Sequence, residues 1–395
     1  MTITVLRADR LFDGTVALDS PVVVLDGQKI ISVGAAEVPA GAEIVDLPGA
    51  TLLPGLVDTH THLVFDASPD PVAALAERDA ADTFAAMCAA ARRAARAGVT
   101  TLRDLGDVDY LALGVRAAAR TDRTLPEIFA AGLPITTPGG HCHFLGGVAR
   151  GVDGVRAAVR ERHERGVDVI KVMASGGNMT PGSRPEVAQY TVEELRAIVD
   201  EAHGLGLPVT AHAHGTTAIA GAVAAGVDSL EHVSFMTADS VDDIPDGLLD
   251  EIRARGVALS LTLGFRPVPG LAPPPGIVAR LPKLAANAAA MRAAGLRVVV
   301  GTDGGIAPFK PHDVLPAAID QLVEMGMTPA EALHAMTARA AEVVGAGDRK
   351  GRILPGYDAD LLAVDGDPLT DPAAIHRVRA VYVRGAALTP APVLP

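Results

Sequence analysis

Leu53-Pro54-Gly55-Leu56-Val57-Asp58-Thr59-His60-Thr61-His62-Leu63 is an apolar run that closes on polar side chains. A long Ala/Arg/Glu-rich stretch of helical period, Ala73 to Ala97, comes after it, then Gly98, then a second short apolar run from Val99 to Asp104. Short runs of this kind read as buried strands and the stretches between them as amphipathic helices. The unit recurs. Strands are expected at Leu53 to His60, Val99 to Asp104, Glu127 to Ala131, Val167 to Val172, Val209 to His212, Ser229 to His232, Ala258 to Thr262 and Arg297 to Asp303. Helices are expected between them, among them Val152 to Arg165, Val192 to Leu205 and Leu281 to Ala294. Gly98, Gly166, Gly206, Gly226, Gly256 and Gly295 lie just before the next strand, which is helix C-cap chemistry at each return. Eight strands alternating with helices predict an α/β fold, a (β/α)8 TIM barrel. A doubly wound sheet would need fewer strands or a second domain, and no dinucleotide-binding glycine pattern follows the first strand.

The two ends of the chain differ from this middle. Val22 to Leu25 and Lys29 to Val33 flank the turn Asp26-Gly27, and Asp360 to Val364 and Val378 to Val383 are strand-like again. Residues 1–54 and 346–395 are therefore expected to form one small β-sandwich domain built from both termini, with residues 55–345 as the barrel.

With 47 acidic and 34 basic side chains among 395 residues, the formal charge is −13. No basic excess exists to release counterions from a phosphate backbone, so a nucleic-acid partner is not expected. Hydrophobic residues at 49% and charged residues at 21% match a packed globular protein rather than a disordered one. Cys88 and Cys142 are too few for a disulfide framework and suit a reducing compartment. Met1 to Arg7 has neither a basic nor an apolar leader pattern, and Ile219 to Val227 falls far short of the ~18–20 apolar residues that span a bilayer. A cytoplasmic homo-oligomer without a membrane partner is the expectation.

Catalytic residues of such a barrel sit at the C-terminal ends of its strands. Seven of the 12 histidines fall there: His60, His62, His141, His143, His212, His214 and His232. The other five, His163, His203, His312, His334 and His376, read as surface or packing residues. In a strand, residues two apart share a face, so His60 and His62 aim together. Lys171, inside the apolar run Val169-Ile170-Lys171-Val172-Met173, would be costly as an unpaired ammonium. Snorkelling or pairing with a carboxylate is the ordinary reading, but beside rim histidines a modified lysine bridging two metals accounts for it better. His212 and His232 end the fifth and sixth strands as further ligand candidates. His214 lies one step beyond His212, placed to contact substrate or support a ligand. Asp303 ends the eighth strand, where it can bind an ion and shuttle a proton or merely cap the next helix.

This constellation resembles the amidohydrolase superfamily of metal-dependent hydrolases. The likeness includes Gly351-Arg352-Ile353-Leu354-Pro355-Gly356-Tyr357-Asp358-Ala359-Asp360-Leu361-Leu362 and runs through essentially the whole chain. Lys171-Val172-Met173-Ala174-Ser175-Gly176-Gly177 and Ala211-His212-Ala213-His214-Gly215 are most similar to the imidazolonepropionase-related branch, with its prolidase-like dipeptidases. Lys171 argues against imidazolonepropionase itself, which lacks that lysine and uses one metal. Gly215 stands where cytosine-deaminase-like members carry a catalytic Glu, which argues against deamination. The resemblance implies two zinc ions: His60, His62 and Asp303 on one, His212 and His232 on the other, with carboxylated Lys171 bridging them. It implies cleavage of an amide C–N bond in an Xaa-Pro-like dipeptide or N-acyl amino acid by a metal-bridging hydroxide, with Asp303 moving the proton.

For substrate contacts, His141 and His143 lie in the glycine-rich segment Pro138 to Gly147, and either simple loop support or substrate contact fits them. Ser175 to Tyr190 and Gly264 to Gly276 are expected as lids, and Arg184, Tyr190 and Arg266 as groups for a substrate carboxylate. Two alternatives stand beside the dipeptide reading: hydrolysis of a cyclic amide or an aryl amide or urea, and a catalytically inactive barrel used as a scaffold. With aromatic residues at 3%, stacking platforms are scarce, which favours peptide-like substrates.

Overall fold

The computed structural model describes residues 3–19, 21–34, 38–271 and 275–390, so the expected lid at 264–276 lies partly outside the described residues. Sixteen strands are seen among them. The first five are β1 (Ile3–Phe12), β2 (Ala17–Asp19), β3 (Val22–Asp26), β4 (Lys29–Gly34) and β5 (Glu43–Pro54). Eight more form the middle: β6 (Leu56–Thr61), β7 (Val99–Asp104), β8 (Glu127–Ala130), β9 (Ile170–Met173), β10 (Val209–Ala213), β11 (Ser229–His232), β12 (Ala258–Thr262) and β13 (Arg297–Gly301). The last three are β14 (Leu361–Asp365), β15 (Val378–Val383) and β16 (Ala386–Leu388).

Each expected middle strand has a counterpart, and all eight pair in parallel. One sheet runs β6-β7-β8 and the other β9-β10-β11-β12-β13. Parallel bridges join the two sheets at both seams, Ile135 to Val172 and Thr61 to Gly304. Helices separate the strands: α1 (Pro71–Ala76), α2 (Ala80–Arg96), α3 (Leu111–Ala119), α4 (Gly151–Arg165), α5 (Val192–Gly204), α6 (Thr216–Ala225), α7 (Leu248–Arg255) and α8 (Pro275–Ala293). The single helix expected over 73–97 is in fact two, because Asp79 caps α2 by accepting from the Asp82 N–H. The expected first strand is likewise divided. Leu53 and Pro54 end β5, and Gly55 lets the chain pass Thr100, where a Cβ would collide with that side chain. Among the described residues, no helix is long and apolar enough to cross a membrane.

The strands from the two ends share one sheet, β16-β15-β14-β5-β1-β3-β4, with β2 added to β1. Its period-2 alternation is buried on both faces. Leu52, Leu361, Ala363 and Tyr382 pack with Leu6, Val23 and Ile30 in a core of their own. Leu53, Leu362, Val364 and Val381 turn the other way, into the large core that the parallel strands and helices share.

A buried cation fastens this sheet to β8. Lys350, 1% exposed, lies 3.0 Å from Glu127 and 3.2 Å from Asp358 and also pairs with Asp360. Burial would lower its pKa, but Asp360, Glu127 and Asp358 hold it above the usual lysine range. Lys350→Met would leave the buried Asp360 and the partly buried Glu127 and Asp358 without that partner. It is expected to cost about 3–5 kcal/mol of stability, read from the urea midpoint; an unchanged midpoint would show that this junction carries no stability.

Candidate active site

The seam between β6 and β13 assembles the first cluster. The Asp303 N–H donates to the His60 carbonyl at 2.7 Å, and the His62 N–H donates to the Gly304 carbonyl at 3.0 Å. His60 Nε2 and His62 Nε2 are then 3.2 Å apart, and both face Asp303 Oδ1, at 3.5 and 3.3 Å. Beneath them, Asp58 accepts from His60 N (3.1 Å), Thr302 N (2.9 Å) and Thr302 Oγ1 (2.6 Å). Burial pushes Asp58 up to about 6 even so. Burial would also raise Asp303, but His60 and His62 outweigh it and hold this carboxylate well below its usual range. It is therefore ionised at neutral pH.

His212, His214 and His232 make a second cluster, with a ligand-capable atom of each within 4.8 Å of the others. Their orientations are set from outside. His212 Nε2 donates to the Gly176 carbonyl at 2.9 Å, His232 Nδ1 lies 2.6 Å from Thr262 Oγ1, and His214 Nδ1 lies 2.8 Å from Ser234 Oγ. His62 is held the same way, with Nδ1 donating to the Gly106 carbonyl at 3.0 Å. A ring nitrogen anchored like this turns the other toward a shared centre, as a metal ligand requires. His214 stacks on His232 at 4.3 Å.

Lys171 is fully buried, and its Nζ has no hydrogen-bond partner among the described residues. Burial pushes it down to about 8, against the pull of Glu231 and Asp303. Two groups of converging donors beside this amine fit a divalent-metal site. The donor set of imidazoles and one carboxylate suits such ions.

Arg103 and Glu231, not singled out from the sequence, form the floor. Arg103 Nη2 donates to Glu231 Oε1 at 2.9 Å, and Glu231 Oε2 lies 3.0 Å from His60 Nδ1. Burial would raise Glu231, but Arg103 and His60 keep it ionised. Glu231 and His232 are consecutive, so an extended strand would send them to opposite faces. Both nevertheless reach His60, whose ring is 5.1 Å from that of His232, because His232 adopts a left-handed φ of 72°. Asp303 does likewise, at 57°. Such positions cost of order 1–3 kcal/mol each and cluster where side chains must converge.

The remaining expected contacts divide. His141 is buried with its ring 4.7 Å from that of His212, whereas His143 is exposed and its Nδ1 donates to the Gly140 carbonyl. Tyr190 is buried and its hydroxyl donates to the Ala149 carbonyl at 2.7 Å. The Arg184 guanidinium stands in solvent, 68% exposed and 3.7 Å from Glu186. Arg266 pairs with Asp313 at 3.1 Å. His312, read as an ordinary packing residue, is buried against the site and its Nε2 donates to the His62 carbonyl at 3.1 Å.

Comparison with known proteins points the same way. The amidohydrolase family model matches residues 51–388. The chain is 32% identical over 370 residues to an ochratoxinase from Aspergillus niger, covering 84% of this chain and 73% of that one. Its fold is similar to that of a Xaa-Pro dipeptidase crystallised with methionine in the active site (TM-score 0.85, 27% identity, 98% of this chain and 100% of that one). A prolidase complexed with N-methylphosphonate-L-proline is similar too (TM-score 0.84, 29% identity, 99% and 100%).

If His60 and His62 donate nitrogen directly to a metal ion, His60→Ala and His62→Ala should each lower metal affinity by at least about 100-fold. Metal content measured by mass spectrometry after dialysis checks this; full occupancy in both variants would break the assignment.

Proposed function

Because the chain belongs to the amidohydrolase family and is a hydrolase acting on carbon–nitrogen bonds, we propose that it cleaves the amide bond of an Xaa-Pro-like dipeptide or an N-acyl amino acid. Two zinc ions are the proposed cofactors, with His60, His62 and Asp303 holding one, His212 and His232 the other, and carboxylated Lys171 spanning both. The architecture we propose is a closed (β/α)8 barrel over residues 55–345, with 1–54 and 346–395 as a composite β domain.

The buried Lys171 amine carries this reading. Its charge is felt by His60, His212 and His232 alike. Carbon dioxide adds only to the neutral amine, and lowering the pKa from 10.5 to about 8 raises that fraction roughly 300-fold at neutral pH. Divalent ions supply Lewis acidity toward a carbonyl and make water acidic enough to react near neutral pH. Asp303, kept ionised, takes a proton from the attacking water and returns it to the departing nitrogen, which leaves poorly as an anion. In this proposal His141 hydrogen-bonds the substrate and Arg184 is a cation for a substrate carboxylate.

One observation favours the alternative, a cyclic amide or an aryl amide or urea. The rings of His62, Phe65 and Phe144 form a run with spacings of 5.8 and 6.3 Å, which an aromatic substrate could follow. The zinc-loaded protein tested on Xaa-Pro dipeptides, N-acyl amino acids, aryl amides and phenylureas separates the two. Turnover of the first two classes is expected; turnover of the last two alone would install the alternative.

Lys171→Ala is expected to lose most activity and one or both ions, and acetate in solution to restore part of it by replacing the missing carboxylate. An unmodified Lys171 in an active protein carrying a single metal ion would overturn the two-metal reading while leaving the family assignment intact.

A further inference from the structure

We propose that Gln189 is a positioning residue whose two-ended amide holds the segment 138–147 so that the His141 ring stays against His212. This rests on the reading that His141 meets the substrate.

Three parts of the chain converge on this one side chain. Its Oε1 accepts from the His141 N–H at 2.6 Å. Its Nε2 donates to the Met173 carbonyl at the end of β9 (2.7 Å) and to Thr136 Oγ1 in the segment after β8 (3.3 Å). The backbone of Gln189 is pinned as well, its N–H donating to the Ala174 carbonyl at 2.8 Å. Only an amide of this length accepts at one end and donates at the other; a carboxylate lacks the donor, and an apolar chain lacks both.

The segment fits closely around the link. A Cβ on Gly140 would fall on Gln189 Oε1 and the Thr136 hydroxyl, and a Cβ on Gly177 would fall on the His141 ring. The next residue, Cys142, donates its N–H to Thr180 Oγ1 at 2.8 Å. His141 itself is 5% exposed, and its Nδ1 has no hydrogen-bond partner among the described residues. A buried polar atom left unspent is costly in a purely structural histidine. Beside the ligand-capable histidines, it suits a group that acts when substrate is present. Among the described residues, none of the hydrogen bonds of Gln189 goes to a side chain of either cluster, so its influence runs through His141.

The test uses the zinc-loaded full chain with L-alanyl-L-proline as substrate, comparing Gln189→Leu, Gln189→Met, His141→Ala and the double variant His141→Ala/Gln189→Leu. Both Gln189 variants should keep full metal content, show about tenfold faster amide exchange over 138–147, and lose about tenfold in kcat with KM nearly unchanged. His141→Ala should lose at least as much, and the double variant no more than His141→Ala, because residues acting through one another are not additive. Unchanged exchange in the Gln189 variants, or additive losses in the double variant, would overturn the proposal. If His141→Ala keeps full activity, or the dipeptide is not cleaved at all, the reading of substrate contact fails instead, and the exchange rates still decide the role of Gln189.

Discussion

The hydrogen bond from Asp303 N–H to the His60 carbonyl ties the end of the eighth parallel strand to the first, and the site depends on it. Two ends of sequence about 240 residues apart meet there. Around it, Asp58 holds Thr302, and Thr59 Oγ1 donates to the Val300 carbonyl at 2.8 Å. None of these groups needs to touch substrate. Their work is to bring His60 Nε2, His62 Nε2 and Asp303 Oδ1 within 3.5 Å of one another. Side chains alone, each with rotamer freedom, would not converge so closely without a backbone that has no other place to go.

The interior carries much charge for a buried space: Arg103, Glu231, Lys171, Asp58 and Asp303 are all buried. Buried charges survive when they are paired and bonded. Arg103 and Glu231 meet that condition within the protein, and Asp58 is satisfied by backbone and hydroxyl donors. Lys171 does not meet it, since its Nζ has no hydrogen-bond partner among the described residues.

Much of the strand order was legible, because most buried strands are short apolar runs and six of the seven helix-to-strand returns pass through a glycine, the exception being Arg120 to Pro126 before β8. The six glycines marked as helix ends all have positive φ. Legibility failed where a contact is set by backbone geometry or by distant partners. Arg103 and Glu231 interrupt apolar runs just as Lys171 does, so the signal was present, but their mutual pairing lies across the fold. The left-handed turn at His232 has no signature in its residue type. For Tyr190, sequence shows a hydroxyl but not the Ala149 carbonyl to which it donates. His312 looked ordinary because its partner, the His62 carbonyl, is 250 positions away.

The outer sheet also has a consequence for the order in which the molecule can come together. β5 pairs with β1 early in the chain, but its other edge is closed only by β14, about 300 residues later. Until that strand arrives, Leu53 and its neighbours present an unpaired edge and an uncovered apolar face, the combination that invites pairing with the wrong chain. During synthesis the parallel strands can assemble while this edge is still waiting. The part that carries every candidate metal ligand is thus complete in sequence before the outer sheet is, and a chain shortened at its far end would keep those residues yet leave this edge and face uncovered.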